Sequence, residues 1–246
     1  DNAYTNVMAR WNLRKAAEWA ERYDADVAAG ERERWLDAAA ALVDGYDPST
    51  GVYEEFAGFH GLEPLVIAEL SPRRPIAADL LLGHERVSGA QVVKQADVLM
   101  LHHLVPDEVA PGSLAPNLEF YEPRTAHGSS LSPAVHASLL ARAGRTGRAL
   151  QLLRIAAMMD LEDLTGTTAG GLHLATMGGV WQALAFGVAG LRPRGETLVV
   201  DPRLPDGWDE LELRVRFRGA PGRIRVTHDG VSVEGDPELR WEEATG

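Results

Sequence analysis

The stretch Tyr121-Glu122-Pro123-Arg124-Thr125-Ala126-His127-Gly128-Ser129-Ser130-Leu131-Ser132-Pro133 is the most unusual local run in the sequence. A His, a Gly and three hydroxyls lead into Ser132-Pro133, a pair that predicts a helix start with Ser at the N-cap and Pro at N1. The first turn of a helix offers N–H groups without intrahelical partners, at the positive end of the helix dipole, and so suits phosphate or another oxyanion. In that chemistry Ser129 and Ser130 add hydroxyl donors, and Gly128 lets the backbone approach the ligand. His127 supplies a hydrogen bond or a positive charge, while Arg124 supports the same anion or pairs with Glu122. The same residues also fit a plain turn with Ser132 as an ordinary N-cap, and spacing alone favours that plainer reading.

Other segments carry weaker signals. Lys94-Gln95 falls in a run whose Val92, Val93, Ala96 and Leu99 predict a core helix over 89–104. A Lys there usually snorkels to the surface; the alternative is that both side chains face a cavity and bind sugar hydroxyls. His102-His103 cannot grip one metal from one face, because adjacent helical residues point about 100° apart. With no HExxH or comparable spacing, no metal site is expected. Thr165 to His173 forms a Gly/Thr-rich loop without the Lys-Ser/Thr ending of a nucleotide P-loop; it is either a pocket wall or a connector. Tyr53, Phe56 and Phe59 surround Glu54-Glu55, an arrangement that suits a sugar cleft or a loop anchor equally.

The elements that must position these residues are mainly helical. Asn2 caps a predicted helix to about Tyr23, with Ala9, Leu13, Ala16 and Ala20 on one face. A second helix runs from Glu31 to Val43, and Asp47-Pro48-Ser49-Thr50-Gly51 is a turn. Pro111, Gly112 and Pro116 predict an irregular stretch. Later helices run from Ser132 to Ala143, from Thr146, and from a Thr176 cap to Gly190. The last is almost wholly apolar and is expected to be buried on most sides. Trp11, Trp19, Trp35 and Trp181 are expected in the core. Beyond Pro193 the period changes to two: Leu211, Leu213, Val215 and Phe217 alternate with Glu212, Arg214 and Arg216, and Asp229-Gly230 predicts a hairpin. The fold class expected is mainly α with a small antiparallel β module, divided as 1–192 and 193–246.

Composition narrows the function classes. Across 246 residues, 24 basic and 36 acidic side chains leave a net charge of −12, which disfavours nucleic acid and anionic membranes as partners. An anionic ligand therefore needs a local site working against the global field. The absence of Cys excludes disulfides, thiolate catalysis and Cys-ligated zinc, and fits the cytoplasm. No apolar run is long enough to span a bilayer. Asp1 stands where a start Met would be, and no basic and apolar leader follows it.

Taken in order, Asp1–Asn6, Val93–Val98, Tyr121–Pro133, Gly171–His173 and Thr176–Gly179 resemble the C-terminal part of glycoside hydrolase family 65, the maltose, trehalose and kojibiose phosphorylases. The resemblance implies the C-terminal portion of an (α/α)6 barrel followed by a small β domain. It implies an inverting phosphorylase that cleaves an α-linked glucose disaccharide with inorganic phosphate, giving β-glucose 1-phosphate and needing no cofactor. It puts phosphate on His127, Gly128, Ser129 and Ser130, against the plainer reading of that segment. It puts the transferred glucosyl unit on Lys94 and Gln95, with His173 walling the same pocket. Glu122 would serve as base were the protein a hydrolase.

In the family the general acid Glu lies just upstream of the stretch matching Asp1–Asn6. Twelve helices with loops need about 350 residues, so the sequence is expected to be one piece of an enzyme. It would then pair with an upstream polypeptide or self-associate, and be inactive alone. The alternatives are a related α-glucoside hydrolase and an inactive or sugar-binding structural module.

Overall fold

The computed structural model describes residues 1–71, 75–95 and 97–244. Two compact units divide the chain, Asp1–Ala126 and His127–Gly246. The chain is mainly helical, with a small β module at its C-terminal end, the class its periodicities predict. No described helix is long and apolar enough to cross a membrane.

In the first unit α1 (Ala3–Arg22) starts where Asn2 Oδ1 accepts the Thr5 N–H at 2.9 Å, a side-chain cap for an otherwise unpaired donor. It buries Ala3, Val7, Ala17 and Ala20 and packs on α2 (Glu31–Ala41) as a helical hairpin. The predicted turn closes a two-stranded hairpin, β1 (Tyr46–Asp47) and β2 (Val52–Tyr53). Asp47 accepts from the Ser49 N–H, the Ser49 hydroxyl and the Thr50 hydroxyl at 2.9, 2.7 and 3.0 Å, and these bonds hold its carboxyl below its usual pKa. Short helices α3 (Ile67–Leu70), α4 (Ala78–Leu82) and α5 (His84–Ser88) follow.

Two local expectations fail here, each for a physical reason. The predicted helix over 89–104 begins only at Asp97, as α6 (Asp97–Leu104). Upstream, the backbone is committed to extended pairing: Val93 N–H donates to Arg124 O at 3.0 Å, and Val93 O accepts from Ala126 N–H at 2.8 Å. The β-branched Val92-Val93 pair suits that extended geometry. Lys94 and Gln95 therefore precede the helix and are exposed; Ala96 lies outside the described residues. Conversely, α7 (Leu114–Tyr121) forms despite Pro116, which sits in its first turn, where a missing N–H costs no intrahelical bond. The Tyr53–Phe59 cluster acts as an anchor. Tyr53 and Phe59 are buried, Phe59 stacks on Tyr121 at 6.1 Å, and Tyr121 Oη donates to Tyr53 O at 2.5 Å. His102 is also buried, its ring held between Val98 O and Ser113 Oγ.

The second unit opens with α8 (Ser132–Arg142) and α9 (Thr146–Met158), an antiparallel pair joined at Gly144. Then α10 (Leu174–Gln182) runs into a wider π-type turn over Ala183–Val188. The expectation that this helix is buried on most sides fails for its first half: α10 buries only Thr176, and Leu174, Met177 and Trp181 are exposed. Trp19 is likewise exposed. Apolar composition states what a helix can bury; α10 meets Ser130 and α8 at Thr176 and Gly179, while the following turn buries Ala183, Ala185, Gly187 and Val188. A Cβ at Gly179 would lie 2.8 Å from Ala134 Cβ, and one at Gly187 2.7 Å from Ser138 Cα. Gly187→Ala is expected to destabilise the chain by about 1–3 kcal/mol, read from urea unfolding, because backbone must shift to admit the methyl.

The β module has two sheets. In the first, β3 (Leu191–Arg194) and β4 (Thr197–Val200) pair antiparallel, and β8 (Trp241–Glu243) adds parallel to β4. In the second, β5 (Glu210–Phe217), β6 (Ala220–Thr227) and β7 (Gly230–Gly235) form a meander. The predicted alternation holds: Leu213, Ile224 and Val226 lie in a core with Leu191, Leu198 and Val200, and Leu211, Val215 and Phe217 pack against it. Ala185 and Ala189 complete the same core, so the helical end and the sheets share one apolar interior.

Candidate anion site of the second unit

Helix α8 and the α10 run lie side by side in the same direction. Contacts advance together along both, from Ser130 and Thr176 through Ala134 and Gly179 to Ser138 and Gly187. Both N-termini therefore lie at one end, and two positive dipole ends meet there.

The segment before α8 is held by hydroxyls. The helix begins at Ser132, so the predicted N-cap is one residue inside it. The Ser132 hydroxyl donates to Ser129 O at 3.1 Å and accepts from His127 Nδ1–H at 2.9 Å. Thr176, buried in the first turn of α10, donates its hydroxyl to Ser130 O at 3.0 Å. Two carbonyl oxygens that would repel an anion are thus engaged by donors, while the Ser129 and Ser130 side chains stay half-buried at the surface and Gly128 is exposed. His127 is buried, with its ring 4.7 Å from that of His136 in an edge-to-face contact. Its φ of +56° is a left-handed backbone, uncommon outside Gly though less so for His. Such strain persists only where the surroundings over-determine it, as the Ser132 bond and the His136 contact do.

At the start of α10, His173 precedes Leu174, and its carbonyl accepts the Thr176 N–H at 2.9 Å. Its ring is held from behind by Asp160, a residue that no sequence signal had singled out. Asp160 Oδ1 lies 2.6 Å from His173 Nδ1, and Oδ2 accepts the His173 backbone N–H at 2.8 Å. The His173 hydrogen bond, with further donors, holds the Asp160 carboxyl below its usual pKa. Asp163 accepts the Thr168 N–H at 3.0 Å and is likewise held low by that bond. The Thr/Gly loop is thus wired onto two carboxylates. Asp160 and His173 are thirteen positions apart with no periodic relation, so only the folded loop brings them together.

Lys94, Gln95 and Glu122 belong to the first unit. Lys94 and Gln95 are exposed just ahead of α6, and Gln95 Nε2 donates to Asp97 Oδ1 at 3.3 Å. Glu122 is half-buried at the C-terminal end of α7. Close to Asp97 lies a carboxyl of the Tyr53–Phe59 cluster, Glu55, 7% exposed. Burial, then the nearby Asp97 carboxylate, push its pKa up to about 8; burial also raises Asp97 itself. Among the described residues no group of three His, Asp or Glu is placed to hold a metal ion.

Comparison with known proteins bears on both units. Residues 1–182 match the glycosyl hydrolase family 65 central catalytic domain, and residues 191–239 match the family's C-terminal domain. The chain is 31% identical to kojibiose phosphorylase of Halothermothrix orenii, over 95% of this chain and 31% of that protein. It is 32% identical to maltose phosphorylase of Bacillus subtilis, over 96% of this chain and 32% of that protein. The chain thus spans about a third of the length of these curated relatives. A solved structure described as a putative kojibiose phosphorylase from human microbiome superposes with a TM-score of 0.84 at 24% identity, over 98% of this chain and 34% of that one. That likeness bears on the fold.

Proposed function

Because this chain belongs to glycosyl hydrolase family 65, we propose that it supplies the phosphate and glucosyl subsites of an inverting α-glucoside phosphorylase. On this reading residues 1–192 are the C-terminal portion of its (α/α)6 barrel and 193–246 its small β domain. The observation that carries the phosphate subsite is the convergence of the α8 and α10 N-termini. There Ser132 and Thr176 tie up the Ser129 and Ser130 carbonyls and leave N–H and hydroxyl donors for an oxyanion.

The donors required are His127, Gly128, Ser129 and Ser130, and His173 at the start of α10 walls the pocket. Lys94 and Gln95 hold the glucosyl unit. Phosphate oxygen forms a bond to the anomeric carbon as the glycosidic bond breaks on the opposite face, and a Glu outside these 246 residues protonates the leaving oxygen. An α-linked disaccharide such as trehalose, maltose or kojibiose then yields β-glucose 1-phosphate. Phosphate here takes the place of the base-activated water of an inverting hydrolase. Phosphate is a co-substrate and no cofactor is required. The lack of Cys suits a reducing cytoplasm.

The test is the complete enzyme, including the polypeptide that carries the general acid, assayed on the three disaccharides with and without phosphate. Glucose 1-phosphate should form only with phosphate present. Equal glucose release in phosphate-free buffer, lost in Glu122→Gln, would establish a hydrolase instead.

A further inference from the structure

We propose that Asp160 is the positioning residue of the anion site, fixing both the direction and the tautomer of the His173 ring; this rests on reading the α8–α10 end as the phosphate subsite. Asp160 uses its two oxygens on two different groups of one residue, the His173 backbone N–H at 2.8 Å and ring Nδ1 at 2.6 Å. The first bond sets the backbone at the entry to α10. The second requires the ring proton on Nδ1, since a carboxylate only accepts. Nε2 is then the outward nitrogen and an acceptor, from the Thr167 hydroxyl at 3.4 Å or from the P–OH of hydrogen phosphate. That hydroxyl lies 2.7 Å from the Thr165 hydroxyl, so the outward side of the ring faces hydroxyls that can exchange partners with a bound anion.

The surroundings support a fixed rather than a casual contact. The Asp160 side chain is 10% exposed and that of His173 22% exposed. Thr168 adds a third bond to the carboxylate at 3.4 Å. A carboxylate behind a His, governing which nitrogen meets the ligand, is a recurring orienting device. Asp160 itself touches no substrate on this account and acts only through His173.

The experiment uses this chain with 15N-labelled His, in wild-type, Asp160→Asn, His173→Ala and doubly substituted forms. The wild-type ring spectrum should show the His173 proton on Nδ1. Asp160→Asn should move it to Nε2, and a backbone amide spectrum that overlays the wild type elsewhere controls for folding. Titration with inorganic phosphate should show binding weakened about tenfold by Asp160→Asn in the wild-type background and unchanged by it in the His173→Ala background. A wild-type ring protonated on Nε2, or an Asp160→Asn effect of equal size with and without His173, would overturn the proposal. If wild type binds no phosphate, the subsite reading falls, and the tautomer result still decides whether Asp160 orients His173.

Discussion

Replacing Ser129 and Ser130 together by Ala is expected to lower the phosphate-dependent kcat/KM of the complete enzyme by about 10²–10³-fold, the range found when preorganised oxyanion donors are removed. The loss should appear first as a raised KM for phosphate. The substitution is informative because the loop is held through the serine carbonyls, which accept from Ser132 and Thr176. Ala keeps both carbonyls, so the donors go while the fold stays. Ser132→Ala differs: it removes the bridge between His127 and Ser129 O that sustains a left-handed backbone at His127. That variant should lose stability as well as activity. Steady-state phosphate titration alongside thermal unfolding separates the two. An unchanged phosphate KM in the double Ala variant would remove these hydroxyls from the site.

Glu55→Gln is expected to stabilise the chain by about 3 kcal/mol at pH 7. In the folded chain the Glu55 carboxyl holds its proton up to about pH 8, against an ordinary value of 4.5. Between those values the unfolded chain has released a proton that the folded chain retains. Unfolding free energy therefore falls as pH rises through that window and levels off above it. Below about pH 4.5 the effect vanishes. Gln has nearly the same shape and carries no charge at any pH, so its advantage should grow from under about 1 kcal/mol at pH 5 to the full value near pH 8. Urea unfolding of both forms at pH 5, 7 and 8 measures it. A variant less stable than wild type at pH 7, or a difference that does not change with pH, would contradict the burial argument. Asp97, half-buried and also raised, should add a smaller trend of the same sign that survives in Glu55→Gln.

The sequence discloses elements whose causes are local. Asn2 as a cap, the Asp47–Gly51 turn, the Ser132 helix start and the alternation from Leu211 to Phe217 each depend on a few neighbouring residues, and each forms close to where it is expected. The failures depend on distant partners. Val93 leaves the predicted helix because Arg124 and Ala126, more than thirty positions later, hold its backbone. Met177 and Trp181 look like core in the sequence, but burial also needs something to pack on. The candidate site divides in the same way. The His127–Ser130 segment is legible because a helix start has its own letters. Asp160 behind His173 and the buried Glu55 carboxyl are not, since only the fold brings in the groups that define them.

The most direct test of the central claim is titration of the isotope-labelled 246-residue chain with inorganic phosphate, following backbone amide resonances. Saturable shifts are expected at residues 128–132 and 173–176 alone, the starts of α8 and α10, and reduced in the Ser129→Ala, Ser130→Ala form. Shifts absent at those amides, or centred elsewhere in the chain, would contradict it.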